Sequence, residues 1–211
     1  PGFTLVTRGP GEPIPPLEEA DYLLVAADLL PAEEIYRLKR ARLIQKVGVG
    51  YDNVDLKAAA EMGIPCAIAA GANSIAVAEH AVMMMMAIQR RLIPIHNGTM
   101  NGQWLMWAHR HESYELAEKK VGLVGLGSIG REVAIRVQAF GCEVAYYDAF
   151  RLRADEEQRR GLRFMPLQEL LGWADIISLH VPLNASTRHL IDRKSIALMK
   201  PTAILINTAR G

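Results

Sequence analysis

Only two cysteines occur in the 211 residues, Cys66 and Cys142, and neither stands in a metal-ligand spacing. That excludes a disulfide framework and a cysteine-held zinc site. Both thiols are expected to be reduced and buried, as in a cytoplasmic protein. Charge of one sign is lacking too. Lys and Arg number 24 against 23 Asp and Glu, a formal net charge of +1, so no basic excess marks a nucleic-acid surface. No apolar run is long enough to cross a bilayer: the longest, Ala76 to Ile88, is interrupted by Glu79 and His80. No secretory signal is recognisable. Half of the residues are hydrophobic and 22% are charged, the balance of a globular chain with a sizeable core rather than a disordered one. At about 150 residues per domain, the length corresponds to one or two domains.

What is present is alternation. Short apolar runs trade places with amphipathic stretches, the pattern of βα units around a parallel sheet. Strands are expected at residues 21–25, 43–47, 64–68, 120–124, 143–147, 175–179 and 203–206. Helices are expected at 31–42, 55–62, 74–92, 131–140, 167–171 and 192–198, with Asn73 or Ser74 capping the third. Arg151 to Arg160 reads as a solvated helix face. After Pro94 the pattern turns polar and irregular, with Trp104 and Trp107 at a surface or an interface. Met83 to Met86 cannot share one helix face. The helix that carries them is therefore expected to be covered on most sides, by another domain or subunit. Glu79 and His80 are adjacent in that helix, do not face each other, and make no catalytic pair.

The strongest local signal is Val121-Gly122-Leu123-Val124-Gly125-Leu126-Gly127-Ser128-Ile129-Gly130. A G-x-G-x-x-G run is weak alone, but here it follows an apolar strand and opens an amphipathic helix. A second strand then ends in Asp148, close to the ~20-residue distance at which a ribose-binding acid is found. Gly125 permits the tight turn, Gly127 the approach of a pyrophosphate, and Gly130 close helix–strand packing. The amides of Ser128 and Ile129 face the diphosphate at the positive helix end. Asp148 can accept from both ribose hydroxyls and repels a 2′-phosphate, which favours NAD over NADP.

With these residues in place the sequence resembles the NAD-dependent D-isomer-specific 2-hydroxyacid dehydrogenases over nearly its whole length. The resemblance rests on Gly48-Val49-Gly50-Tyr51-Asp52-Asn53-Val54-Asp55, on Asn73-Ser74-Ile75-Ala76-Val77-Ala78-Glu79-His80, and on the glycine-rich turn. Ala174-Asp175-Ile176-Ile177-Ser178-Leu179-His180-Val181-Pro182 with Thr187, and Ile206-Asn207-Thr208-Ala209-Arg210-Gly211, complete it. It implies an α/β fold of two domains: a flavodoxin-like substrate domain, incomplete, over residues 1–72, and a doubly wound Rossmann domain that binds NAD over residues 73–211. It implies that the backbone at Val49 and Gly50 holds the substrate carboxylate, that Asn73 lines the same pocket and that Ser74 reaches a cofactor phosphate. By the same resemblance His180, Pro182 and Thr187 line the cofactor trough, Thr208 and Ala209 touch the nicotinamide side, and Arg210 is the catalytic arginine. Its guanidinium fork can grip a carboxylate and a 2-oxo oxygen together. The implied partners are a small 2-hydroxy or 2-oxo acid and a second copy of the chain, with no metal, nucleic acid or membrane.

The reaction also needs a proton, normally given by a histidine that a carboxylate supports. In the family that His–Glu pair follows the Asn-Thr-Ala-Arg-Gly motif, and none of the six histidines here stands in its place. The expectation is a piece of a longer dehydrogenase, inactive by itself, with apolar surface laid bare. Two alternatives are an NAD-sensing interaction protein, like the corepressors built on this fold, and a formate dehydrogenase, whose Asn73–His80 segment this one resembles.

Overall fold

A computed structural model describes residues 2–9 and 12–210. Gly211, the last residue of the terminal motif, lies outside the described residues. By internal contacts the chain divides into two compact units, Pro1–Ala72 and Asn73–Gly211. Among the described residues, no helix is long and apolar enough to cross a membrane.

The first unit is built on a parallel sheet of β1 (Tyr22–Val25), β2 (Leu43–Lys46) and β3 (Cys66–Ile68), in that order. Helices α1 (Ala32–Ile35) and α2 (Leu56–Glu61) connect the strands. Asp55 starts α2 by accepting the Ala58 N–H at 3.0 Å, and Gly63 ends it with φ +67°. Ile35, Leu38, Ile44, Ala58 and Ala59 form the core. Two expectations are corrected here. The helix expected through Arg42 ends at Ile35. Tighter turns follow, Arg37 N–H to Glu34 O and Leu38 N–H to Ile35 O, and they keep Leu38 in the core. Arg37 and Arg40 are drawn to Glu18 and Asp21 instead. Cys66 is exposed on the edge strand β3, whereas Cys142 is buried.

The second unit carries a five-stranded parallel sheet: β4 (Lys120–Val124), β5 (Glu143–Tyr147), β6 (Arg163–Phe164), β7 (Ile176–Leu179) and β8 (Ile204–Asn207). The order across it is β6-β5-β4-β7-β8. The helices are α3 (Ser74–Gln89), α4 (Leu92–Met100), α5 (Ser128–Ala139), α6 (Ala154–Arg160), α7 (Leu167–Trp173) and α8 (Arg193–Leu198). One sheet face packs Val121, Leu123, Val144 and Ile176 against Ala81, Met85, Val133 and Val137 of α3 and α5. The other packs Val124, Ala145 and Ile177 against Leu170 and Leu171 of α7. Burial on both faces is why these strands read as unbroken apolar runs.

The long third helix stops at Gln89, because Arg91 turns left-handed with φ +50°. A further helix, α4, then stands where irregular chain was expected. Pro94 is tolerated at its third position, where no intrahelical N–H bond is required. Within the chain α3 is covered on one face only. Met85 is fully buried, but Met83 and Met86 are 48% and 37% exposed within the chain, on the sides where a domain or subunit is expected to pack. Helix α5 begins at Ser128, three residues before its expected start. The two-residue β6 is too short to leave a periodic trace.

Candidate functional site

Strand register assembles the site. Val124 of β4 pairs with Tyr147 of β5 and with Leu179 of β7, and Leu179 pairs with Asn207 of β8. All four strands run parallel and end flush. The next residues, Asp148, Gly125, His180 and Thr208, therefore form one row across adjacent strands. At the usual strand spacing the row is roughly 14 Å long. It crosses the point where the chain, having built β5 and β6 on one side of β4, returns to build β7 and β8 on the other. Open α/β sheets bind ligands in the crevice at that reversal.

The glycine turn fits the row for steric reasons. Gly125 has φ +97°, and a Cβ there would stand 2.7 Å from the His180 carbonyl oxygen. A Cβ on Gly130 would overlap the Gly125 carbonyl oxygen. Gly127 differs, since a Cβ built on it meets nothing within 4 Å. It precedes α5 as a residue without a side chain, and no side chain caps that helix. The first-turn amides of Ser128 and Ile129 thus face outward at the positive end of a 12-residue helix. Asp148 is oriented by two backbone bonds: Oδ2 accepts the Leu126 N–H at 2.7 Å and Oδ1 the Phe150 N–H at 2.8 Å. Each oxygen keeps a further lone pair for a hydroxyl.

Polar atoms without partners mark the rest of the row. Among the described residues, both ring nitrogens of His180, Thr208 Oγ1 and Ser74 Oγ are buried and make no hydrogen bond (a fifth such atom, Ser178 Oγ, lies inside β7). Burial pushes the His180 pKa down to about 4, so its ring is neutral and offers one donor and one acceptor. Buried polar groups are rarely left unpaired. Those of His180 and Thr208 stand at the carboxyl ends of the strands and that of Ser74 at the start of α3, an arrangement that fits a polar ligand such as a dinucleotide. Asn73 is the residue before α3 and its side chain makes no capping bond, so it is not the side-chain cap the sequence suggested.

An open depression of about 590 Å³ adjoins the row. One wall is a helical stripe of α3, Asn73, Ala76, Val77, His80 and Met84, and the other is the β8 tail from Asn207 to Arg210. Asn207 shapes that tail: its Nδ2 donates to the Arg210 carbonyl at 2.7 Å, and its Oδ1 accepts the Ala209 N–H at 2.9 Å. Sequence reasoning singled out neither Asn207 nor His80 as a site residue. For Asn207 a signal existed, since asparagine bonds the backbone two residues on and makes a turn. Pro182 and Thr187 belong to one loop, which Thr187 closes. Its hydroxyl donates to the Pro182 carbonyl and accepts the Asn184 N–H at 2.9 Å. Val49 and Gly50 lie in the first unit, half-buried in the loop after β2. The Lys46 amine donates to the carbonyls of Ala26 and Val47 at the root of that loop.

Comparison with known proteins agrees with this geometry. The profile of the D-isomer specific 2-hydroxyacid dehydrogenase NAD binding domain matches residues 82–211. A hydroxypyruvate reductase of Thermotoga maritima is 39% identical over 196 residues, 92% of this chain and 62% of that protein. The structure of a Granulicella formate dehydrogenase superposes with a TM-score of 0.87 at 35% identity, over 92% of this chain and 53% of the other. A D-lactate dehydrogenase of Aquifex aeolicus, solved with NAD and lactic acid, superposes with a TM-score of 0.82 at 34% identity, over 94% and 60%. The chain spans 48% to 62% of the length of the first curated relatives it matches.

Proposed function

The chain belongs to the D-isomer-specific 2-hydroxyacid dehydrogenase family, and from that premise we propose that it serves NAD-dependent interconversion of a small D-2-hydroxy acid and its 2-oxo acid. In this reading Asn73–Gly211 is the NAD-binding domain and Pro1–Ala72 belongs to the substrate domain. One observation carries the proposal: the flush row Asp148–Gly125–His180–Thr208, with unpartnered buried polar atoms along it. Asp148 accepts from the ribose hydroxyls. The amides of Ser128 and Ile129 hold the diphosphate, with Ser74 adding a hydroxyl from the start of α3. Neutral His180 and the loop of Pro182 and Thr187 line the trough, and Thr208 and Ala209 bound its far end. When bound, the cofactor supplies or accepts the hydride.

Arg210, whose Nη1 donates to the Ala209 carbonyl at 2.9 Å, would turn its guanidinium to the carboxylate and the 2-oxo oxygen of a bound substrate, orienting it and stabilising charge that develops on that oxygen. The Asn207 turn presets the backbone from which Arg210 projects. Asn73 lines the same depression; for Val49 and Gly50, in the first unit, the family resemblance supports a role of their backbone in binding a carboxylate. A second copy of the chain is the natural partner of the exposed apolar residues on α3, α4 and the segment after it, among them Met83, Leu92, Ile93, Trp104 and Trp107. Two free thiols suit a reducing compartment such as the cytoplasm.

The test is NADH oxidation by the intact protein with glyoxylate, pyruvate and hydroxypyruvate, and NAD reduction with formate. One or more 2-oxo acids should be turned over, and Arg210→Lys should lower kcat/KM by about 100-fold. Turnover of formate alone would move the substrate assignment to the formate branch. NADH binding without turnover of any of these would sink the dehydrogenase reading.

A further inference from the structure

The stretch after Asp148 holds a second charged group whose position bears on cofactor choice. Folds of this kind admit a 2′-phosphate when an arginine near the end of the second strand can reach it. This chain has such an arginine three residues after the acid, Arg151, but the Nε–Nη2 edge of its guanidinium is engaged elsewhere. Nε donates to Glu157 Oε1 at 2.9 Å and Nη2 to Glu157 Oε2 at 3.0 Å. The guanidinium also lies 4.9 Å from the Phe164 ring centroid. Glu157 is itself anchored on α6. The hydroxyl of Tyr146, a fully buried residue of β5, donates to Glu157 Oε1 at 2.8 Å and accepts the Leu152 N–H at 2.8 Å. Strand, loop and helix thus close on one carboxylate. Of the other cations near this stretch, Arg153 is exposed and pairs with Asp155 at 3.2 Å, and Arg131 donates from Nε to the Leu126 carbonyl at 3.1 Å.

We propose that Glu157 is a specificity-determining residue: by withholding Arg151 it denies the site the cation that a 2′-phosphorylated cofactor needs. It works beside the charge of Asp148, not through it. Asp148 repels the phosphate, and Glu157 removes the group that would compensate for the repulsion. The inference rests on the NAD reading above and deepens it.

Dissociation constants for NADH and NADPH, measured by fluorescence on the intact protein, test it. Asp148→Ala/Glu157→Gln should bind NADPH about tenfold more tightly than Asp148→Ala alone, the gain of a charge-assisted contact. NADH affinity should change less than about threefold. Adding Arg151→Ala should abolish the gain, and adding Arg153→Ala should leave it. Equal NADPH affinity in the single and double variants overturns the proposal, as does a gain that survives Arg151→Ala or is lost with Arg153→Ala. If Glu157→Gln does not fold, Asp148→Ala/Arg151→Gln decides. A withheld Arg151 predicts NADPH affinity within about twofold of Asp148→Ala, and a fall of fivefold or more means that Arg151 already serves the phosphate. Failure of the unsubstituted protein to bind NADH overturns the cofactor reading itself, an outcome separate from all of these.

Discussion

Asn207 shows how much a single side chain can decide. Its amide satisfies the Ala209 N–H and the Arg210 carbonyl together, so the backbone that projects Arg210 has one conformation rather than several. In the proposed reaction, Asn207→Ala should lower kcat/KM for the 2-oxo acid about tenfold, at about 1–1.5 kcal/mol for the lost bonds. Expressed as free energy, the loss in kcat/KM should exceed the loss of stability measured by denaturant titration. His180 makes a second prediction. Burial holds its pKa at about 4, below the ordinary 6.5, so between those values the unfolded chain binds a proton that the folded ring refuses. The contribution is complete above pH 6.5 and is lost as the pH falls toward 4. Denaturant titrations of the cofactor-free protein should show about 2 kcal/mol less stability at pH 5 than at pH 7 from this group. His180→Leu should flatten the dependence by that amount, and an unchanged slope would refute the assignment.

Among elements, legibility followed length and periodicity. The glycine turn and most of the seven strands that were read, of the eight described, are backed by an apolar run or by steric need. Gly125 and Gly130 are glycines because a methyl group would meet carbonyl oxygen. What could not be read was set by tertiary context. The early end of α1 depends on Glu18 and Asp21 claiming Arg37 and Arg40. Helix α4 follows from a left-handed Arg91, which no local pattern announces. Of the proposed site, the glycine turn and Asp148 were open to derivation from the residues, whereas Arg210 gained its meaning from its motif. Its support by Asn207 emerged only from hydrogen bonds. Backbone strain offers a test at this scale. Glu118 holds φ +63° in the turn before β4, and its side chain is exposed. Glu118→Gly should raise stability by about 0.5–1 kcal/mol, the left-handed cost less the entropy of glycine. A lower urea midpoint would contradict that.

For the whole molecule, the apolar surface of the second unit is the feature with most to explain. Trp104 and Trp107 are 76% and 64% exposed, and Leu92, Ile93, Met100 and Met106 are exposed with them. Such surface on one chain is the mark of an association face. For the self-association proposed above, Trp104→Glu/Trp107→Glu should lower the mass seen in sedimentation velocity at micromolar concentration to that of a monomer. A species of unchanged mass would remove this face from the interface. The methionine run on α3 then acquires a use unrelated to catalysis. Four thioethers in succession sample one turn of helix, from fully enclosed Met85 to accessible Met83 and Met86, and sulfoxide formation follows accessibility. Brief peroxide treatment followed by mass spectrometry would thus record self-association, with Met85 as its internal standard: the chain carries its own footprinting probe.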